Sequence, residues 1–205
     1  MSIKTKKISR RRLPIEERQR LVLLAAVELL KSGTDSVTVV GIARQLDWSV
    51  SAVTRCYRYR SDILLALLDY ADQSMSEVFS QLRERYREDG LEFTRQLFYY
   101  FVTFTDTNPG FDRLLTGRDF QKEDQQLGER LLKLHTSWET WIRECMKLSI
   151  LHEQVPVTYE ARSRAFMLFN VLVGRWTRSS MKAQVPTIDA LMPSVNALLT
   201  GQTER

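Results

Sequence analysis

Apolar residues recur three and four positions apart along almost the whole chain, and no stretch shows the strict apolar–polar alternation of a half-buried strand. This period predicts helices over residues 14–31, 38–46, a short one opening after Ser49, one from Ser61 into the eighties, then 92–105, 111–115, 122–150, 158–182 and 188–199. The punctuation agrees. Pro14 suits a first helical turn, and Glu16 and Glu17 favour the positive end of the first helix dipole. Gly33 is expected to stop that helix, Gly90 to break the chain, and Asn108, Pro109 and Gly110 to form a turn.

The second and third helices are unusually well specified. Thr38 and Ser49 are both good N-caps, since a hydroxyl can accept from a free backbone N–H at a helix start. Ile42, Ala43 and Leu46 fall on one face of the first, and Val53 and Tyr57, four apart, on one face of the next. Asp47 and Trp48 make the link, with Asp tolerant of a left-handed backbone. This is the pattern of a helix-turn-helix, whose second helix enters the DNA major groove. On periodicity alone an ordinary helical hairpin would read the same way.

Charge separates the two readings. Residues 1–65 hold thirteen Lys and Arg against six Asp and Glu, a net +7, while the remaining 140 residues carry −2. A cationic patch next to a helix-turn-helix gains affinity for DNA by releasing condensed counterions. The tail with Lys4, Lys6, Lys7, Arg10, Arg11 and Arg12 is expected to follow phosphates or reach into a minor groove. The outward positions of the recognition helix should be Val50, Ser51, Ala52, Thr54, Arg55 and Arg58. Arg55 could take guanine bidentately or grip a phosphate, Thr54 could bond a phosphate or base edge, and Val50 and Ala52 could rest on thymine methyls.

Other classes find little support. No apolar run approaches the length of a membrane span, and no signal-peptide core follows the basic N-terminus. Glycine-rich phosphate loops, nucleophile elbows and paired metal motifs are missing, so neither catalytic residues nor cofactor nor metal is expected. His135 and His152 read as single surface histidines. Cys56 and Cys145 are far apart in sequence, as reduced thiols of a cytoplasmic protein would be, and DNA binding would make such a protein nucleoid-associated.

Taken together, Thr38, Ile42, Ala43, Ser49, Val53, Arg55, Tyr57, Arg60 and Ile63 resemble the DNA-binding region of the tetracycline-repressor family. The departures are Asp47 for the usual turn Gly, Thr54 for Tyr, Cys56 for His and Arg58 for Pro. The family's Tyr and His commonly touch phosphates, so the resemblance passes that role to Arg58 and Arg60, beside Thr38, Ser49 and Tyr57. It implies an all-α fold: a basic arm (1–12), a three-helix DNA-binding domain with a helix-turn-helix (13–60), and a larger helical regulatory and dimerisation domain (61–205). It also implies a homodimeric repressor on double-stranded DNA, controlled by a small apolar effector. Phe98, Phe101, Phe104, Trp138 and Trp141 are candidates to line the effector pocket, although such a stripe would equally serve as core. The dimer face is expected on the last two long helices, through Phe166, Phe169, Val173, Trp176, Leu191, Val195 and Leu198, as a four-helix bundle.

A narrower resemblance concerns the second domain. NPGFDRLLTG (residues 108–117) and RWTRSSMKAQVP (175–186), read through Arg175, Arg178, Ser179, Lys182 and Pro186, are similar to the nucleoid occlusion branch of that family. The alternative it implies is a DNA-bound inhibitor of the cell-division protein. The partner would dock near the fourth and fifth helices, where Asn108 matches and Thr107 replaces a basic residue.

Overall fold

The computed structural model describes residues 13–117 and 124–200, and all regular structure within them is helical. In chain order these are α1 (Ile15–Leu30), a single 3-10 turn (Thr34–Ser36), α2 (Val39–Leu46), α3 (Val50–Thr54), α4 (Arg60–Arg85), α5 (Gly90–Thr107), α6 (Phe111–Thr116), α7 (Gln125–Leu151), α8 (Ala161–Ser180) and α9 (Ile188–Thr200). Helix α2 packs on α1 and on α3, and α1 also packs on α4, while α4 to α9 build the larger lobe.

The larger lobe is centred on α5, α7 and α8. Leu97, Phe101, Leu134, Trp138, Leu168, Leu172 and Trp176 are essentially without solvent contact. Each buried aromatic of this size removes of order 150–250 Å² from water. Polar clamps fix how the helices sit. From α7, Arg130 reaches two carboxylates of α4, Asp69 and Asp72, each at 2.7 Å, and the Trp138 indole N–H donates to Asp72 at 3.1 Å. From α8, one terminal nitrogen of the buried Arg175 donates to both carboxylate oxygens of Asp106 of α5, at 2.8 and 3.0 Å, and its Nε donates to the Pro186 carbonyl at 3.3 Å.

Two glycines act through close approach. Gly90 does not break the chain. It opens α5, and a Cβ there would fall on the Ser149 amide and the Cys145 carbonyl of α7. The two helices cross where only a hydrogen atom fits. Gly110, at φ 97°, lies in the left-handed region, and a side chain would strike the Leu30 carbonyl at the end of α1. The Asn-Pro-Gly turn is thus the point at which the larger lobe receives the N-terminal helices.

Three expectations need correction here. His135 is half-buried and turned toward the core: its Nε2–H donates to the Leu115 carbonyl at 2.8 Å and its ring lies 5.2 Å from that of Phe169. Burial lowers its pKa, keeping the ring neutral near pH 7. His152 is exposed, as expected. The candidate effector-pocket rings do not surround one space. Phe101 packs on Trp138 (4.9 Å between centroids), Phe104 on Phe111 (5.1 Å) and Trp141 on Phe79 (4.9 Å), with Phe98 sealed in the same core. Rings at helical spacing on facing helices meet each other and fill the volume that a pocket would need. Finally, Phe169, Trp176 and Val195 of the expected dimer face point into their own core, whereas Phe166 is 57 % exposed. Val173, Leu191 and Leu198 are half-buried against that core.

Candidate nucleic-acid interface

The helix-turn-helix is built from local bonds that the sequence announces. The Thr38 hydroxyl accepts from the Gly41 N–H at 2.9 Å and starts α2. Asp47 takes the left-handed conformation (φ 52°, ψ 43°) that ends it, and the Trp48 N–H returns to the Ala43 carbonyl at 2.8 Å. The Ser49 hydroxyl then accepts from the Ala52 N–H at 3.2 Å and opens α3. Helix α3 is only five residues long, too short to persist alone. It is held by the fully buried Val53 and by α1.

The contribution of α1 went unrecognised in the sequence. Arg18 donates to the Ala52 carbonyl at 3.0 Å, and its guanidinium stands 5.9 Å from the Trp48 ring centroid. Gln19 donates to the Cys56 carbonyl at 3.2 Å. Two neighbouring polar side chains of α1 thereby grip the backbone of α3 and of the turn after it. No spacing rule marks such a contact, because a polar residue on the charged first turns of a helix reads as solvent-facing.

Among the outward positions, Val50, Ser51, Arg55 and Arg58 are exposed and Ala52 and Thr54 partly so. Val50, the first residue of α3, is 46 % exposed. Arg55 follows the last residue of α3 and points to solvent. Arg58 lies over the Tyr59 ring at 5.2 Å. Tyr57 is partly buried against the core, and burial raises its pKa, so its aromatic body serves packing. Cys56 is buried too, its Sγ 3.5 Å from the Ala52 carbonyl, and burial raises its pKa. The basic arm, with Arg10, Arg11 and Arg12, lies outside the described residues.

Arg60 differs from the phosphate ligand that was expected. Its Nε donates to the Val37 carbonyl at 3.0 Å and a terminal nitrogen to the Thr34 carbonyl at 2.9 Å. Val37 and Thr34 are fully buried, so the first side chain of α4 ties that helix to the segment feeding α2. Next to it, the Asp62 carboxylate caps α4 by accepting from the Tyr59 N–H at 2.8 Å.

The nucleoid occlusion factor SlmA of Marinobacter nauticus is 30 % identical over 178 residues, spanning 84 % of this chain and 89 % of its own. SlmA is a TetR-family protein. The chain belongs to the TetR family. A second SlmA, from Vibrio campbellii, is 25 % identical over 190 residues, covering 90 % of this chain and 95 % of that one. No family model matches the chain. Among solved structures, a TetR transcription regulator from Haloarcula marismortui aligns with a TM-score of 0.77 at 17 % identity, over 90 % of this chain and 97 % of that one. The regulator FadR from Bacillus subtilis, in complex with stearoyl-CoA, aligns at 0.70 and 17 %, over 89 % and 98 %. Those two show the same fold. As a TetR-family member this chain is a DNA-binding regulator and not an enzyme. No described helix is long and apolar enough to cross a membrane.

Proposed function

We propose that this protein binds a palindromic stretch of double-stranded DNA as a homodimer and regulates transcription there, most simply as a repressor, in the cytoplasm on the nucleoid. The observation that carries the reading is α3 itself. Its N-terminal half presents Val50 and Ser51 outward and its end presents Arg55, while Arg18, Gln19 and Val53 hold its backbone from behind. Ser51 and Arg55 are assigned to base edges, Thr54 and Arg58 to phosphates, and Val50 and Ala52 to apolar contact with thymine methyls. Thr38 and Ser49 act as caps that leave backbone amides facing phosphate. The DNA-binding unit is residues 13–60, preceded by the arm 1–12, and residues 61–205 regulate and dimerise.

One such helix reads only about four to six base pairs, too few to find a site, so two must act about 34 Å apart. The second copy has a place to bind. Phe166 and Met167 are 57 % and 42 % exposed on α8, and Asn170 and Gly174 continue that outer face. Ala190, Pro193 and Ser194 leave a low, exposed surface on α9. These outer positions, with Val173, Leu191 and Leu198 at their edge, form the face for a four-helix bundle with a symmetry mate. Selection of bound duplexes from a random library, followed by anisotropy titrations at two salt concentrations, tests the reading. A two-fold symmetric consensus bound by two chains supports it, and salt-insensitive or absent binding sinks it.

A second reading, nucleoid occlusion through a division protein, is favoured by the breadth of the SlmA matches over 84–90 % of the chain. Asn108, at the end of α5, would mark the docking region. Mapping bound sites along the chromosome separates the two: promoters for a repressor, scattered sites with altered division for an occlusion factor.

A further inference from the structure

We propose that a cleft at the far end of the larger lobe binds a small amphipathic anion, an apolar chain or ring that carries a carboxylate. The cleft lies between α4, α5 and α7 and has a volume of about 630 Å³, within the usual range for small-molecule sites. Its floor is aromatic. Phe79 stacks on Trp141 at 4.9 Å and 17° and meets Phe93 at 5.4 Å. Its rim is cationic, with Arg83, Arg87 and Lys147. Of the rings considered for an effector, Trp141 alone takes part, so this site is separate from the closed core around Phe101 and Trp138. It also stands away from the DNA-binding lobe: Arg83 is 23 residues along α4 from Arg60, about 34 Å at the helical rise.

The charge balance selects the occupant. The one acidic lining residue, Glu144, is bonded to Lys147 at 3.0 Å, so these two largely cancel. Arg83 makes no hydrogen bond or ion pair among the described residues. Arg87 is 3.6 Å from Glu88 with both side chains about three-quarters exposed, a pair that contributes little in water. Two guanidiniums are therefore available above an aromatic floor. A neutral oil would leave them unused, and a simple inorganic anion would leave the rings wet. A molecule that is apolar along its length and anionic at one end satisfies both. A guanidinium fork also matches a planar carboxylate better than an ammonium would.

The test uses dodecanoate, below its micelle concentration, titrated calorimetrically into the full-length protein, with dodecanol as the uncharged counterpart. Saturable binding of one dodecanoate per chain is expected, with dodecanol at least about tenfold weaker. The double variant Arg83→Glu and Arg87→Glu, both at exposed positions, should weaken dodecanoate about tenfold or more while leaving dodecanol unchanged. Trp141→Leu should weaken both ligands, and Lys133→Glu, elsewhere on α7, neither. Circular dichroism and melting curves establish that each variant is folded. The proposal is overturned by no saturable dodecanoate binding up to about 1 mM, by dodecanol binding equally well, or by a folded double variant with unchanged affinity.

Discussion

Replacing Arg60 by Ala discriminates between two roles that a surface arginine beside a helix-turn-helix can play. As a phosphate ligand it would contribute one ionic contact to DNA and almost nothing to folding. In the structure its guanidinium donates at 3.0 and 2.9 Å to the carbonyls of Val37 and Thr34, residues fully removed from solvent. The Thr34 carbonyl also accepts from the Val37 N–H at 3.0 Å and keeps that bond in the variant. The Val37 carbonyl loses its donor. Removing one charged hydrogen bond (about 1.5–3 kcal/mol) and stranding one buried carbonyl (about 1–3 kcal/mol) costs about 2.5–6 kcal/mol together. Urea denaturation should show that loss at unchanged m-value. DNA binding, followed by anisotropy across a salt series well below the unfolding midpoint, should keep the wild-type slope. Loss of a phosphate contact would instead reduce the slope by about 0.9. A variant as stable as wild type within about 0.5 kcal/mol, with the slope reduced by about one, refutes the strut and restores the phosphate contact.

Other outcomes follow from the same structure. Arg55→Ala should erode preference at one base pair by about 1–3 kcal/mol, with little change in stability; a uniform loss over all sequences would place Arg55 on phosphate instead. Gly110→Ala forces a side chain onto the Leu30 carbonyl at φ 97° and should cost about 3–4 kcal/mol in a thermal or urea melt. Phe166→Glu with Met167→Glu should convert a dimer to a folded monomer in sedimentation, since neither side chain supports its own core; a dimer that survives locates the interface elsewhere. His135 is neutral and its folded pKa lies below the unfolded value. The unfolded chain therefore binds more protons below about pH 6.5, and stability should decline there by up to about 1.4 kcal/mol per pH unit. His135→Gln, which can still donate to the Leu115 carbonyl, should flatten that decline relative to wild type.

In the N-terminal lobe, what could be read from sequence was what depends on neighbours in sequence. Thr38, Asp47 and Ser49 act within three residues of themselves, and each performs the expected local task. What could not be read depends on partners remote in sequence. Arg18 meets Ala52, thirty-four positions away, and Arg60 meets Val37, twenty-three away. Both are basic residues in a basic segment, and nothing in their own type separates a strut from a DNA contact. Gly90 was misleading for a related reason. Its lack of a side chain relieves a helix crossing with α7 nearly sixty residues on, and not a turn in its own backbone.

In the larger lobe, helix spacing alone was a weaker guide. Residues 166, 169, 173 and 176 all satisfy the three-to-four spacing, so periodicity groups them on one face. A helix between its own core and a partner has two apolar faces, nearly half a turn apart here at about 3.6 residues per turn, and large residues are needed on both. The structure divides them: Phe169 and Trp176 inside, Phe166 and Met167 outside, Val173 at the edge. The distinction lies in the phase of the stripe relative to α7, which the chain fixes only on folding. One cue was available. Asn170 and Gly174 continue the line of Phe166 and Met167, while Ala165, Leu168 and Leu172 continue that of Phe169 and Trp176. A stripe of large and small residues broken by an Asn makes a poor monomer core, because an amide sealed among apolar groups needs partners, and among the described residues Asn170 donates only to the Phe166 carbonyl of its own helix, at 2.8 Å. It makes an acceptable seam between two chains, where such an amide can find its counterpart across a symmetry axis. The outer line of α8 is therefore the one to disrupt in the sedimentation experiment, and mutating the inner line would only unfold the protomer.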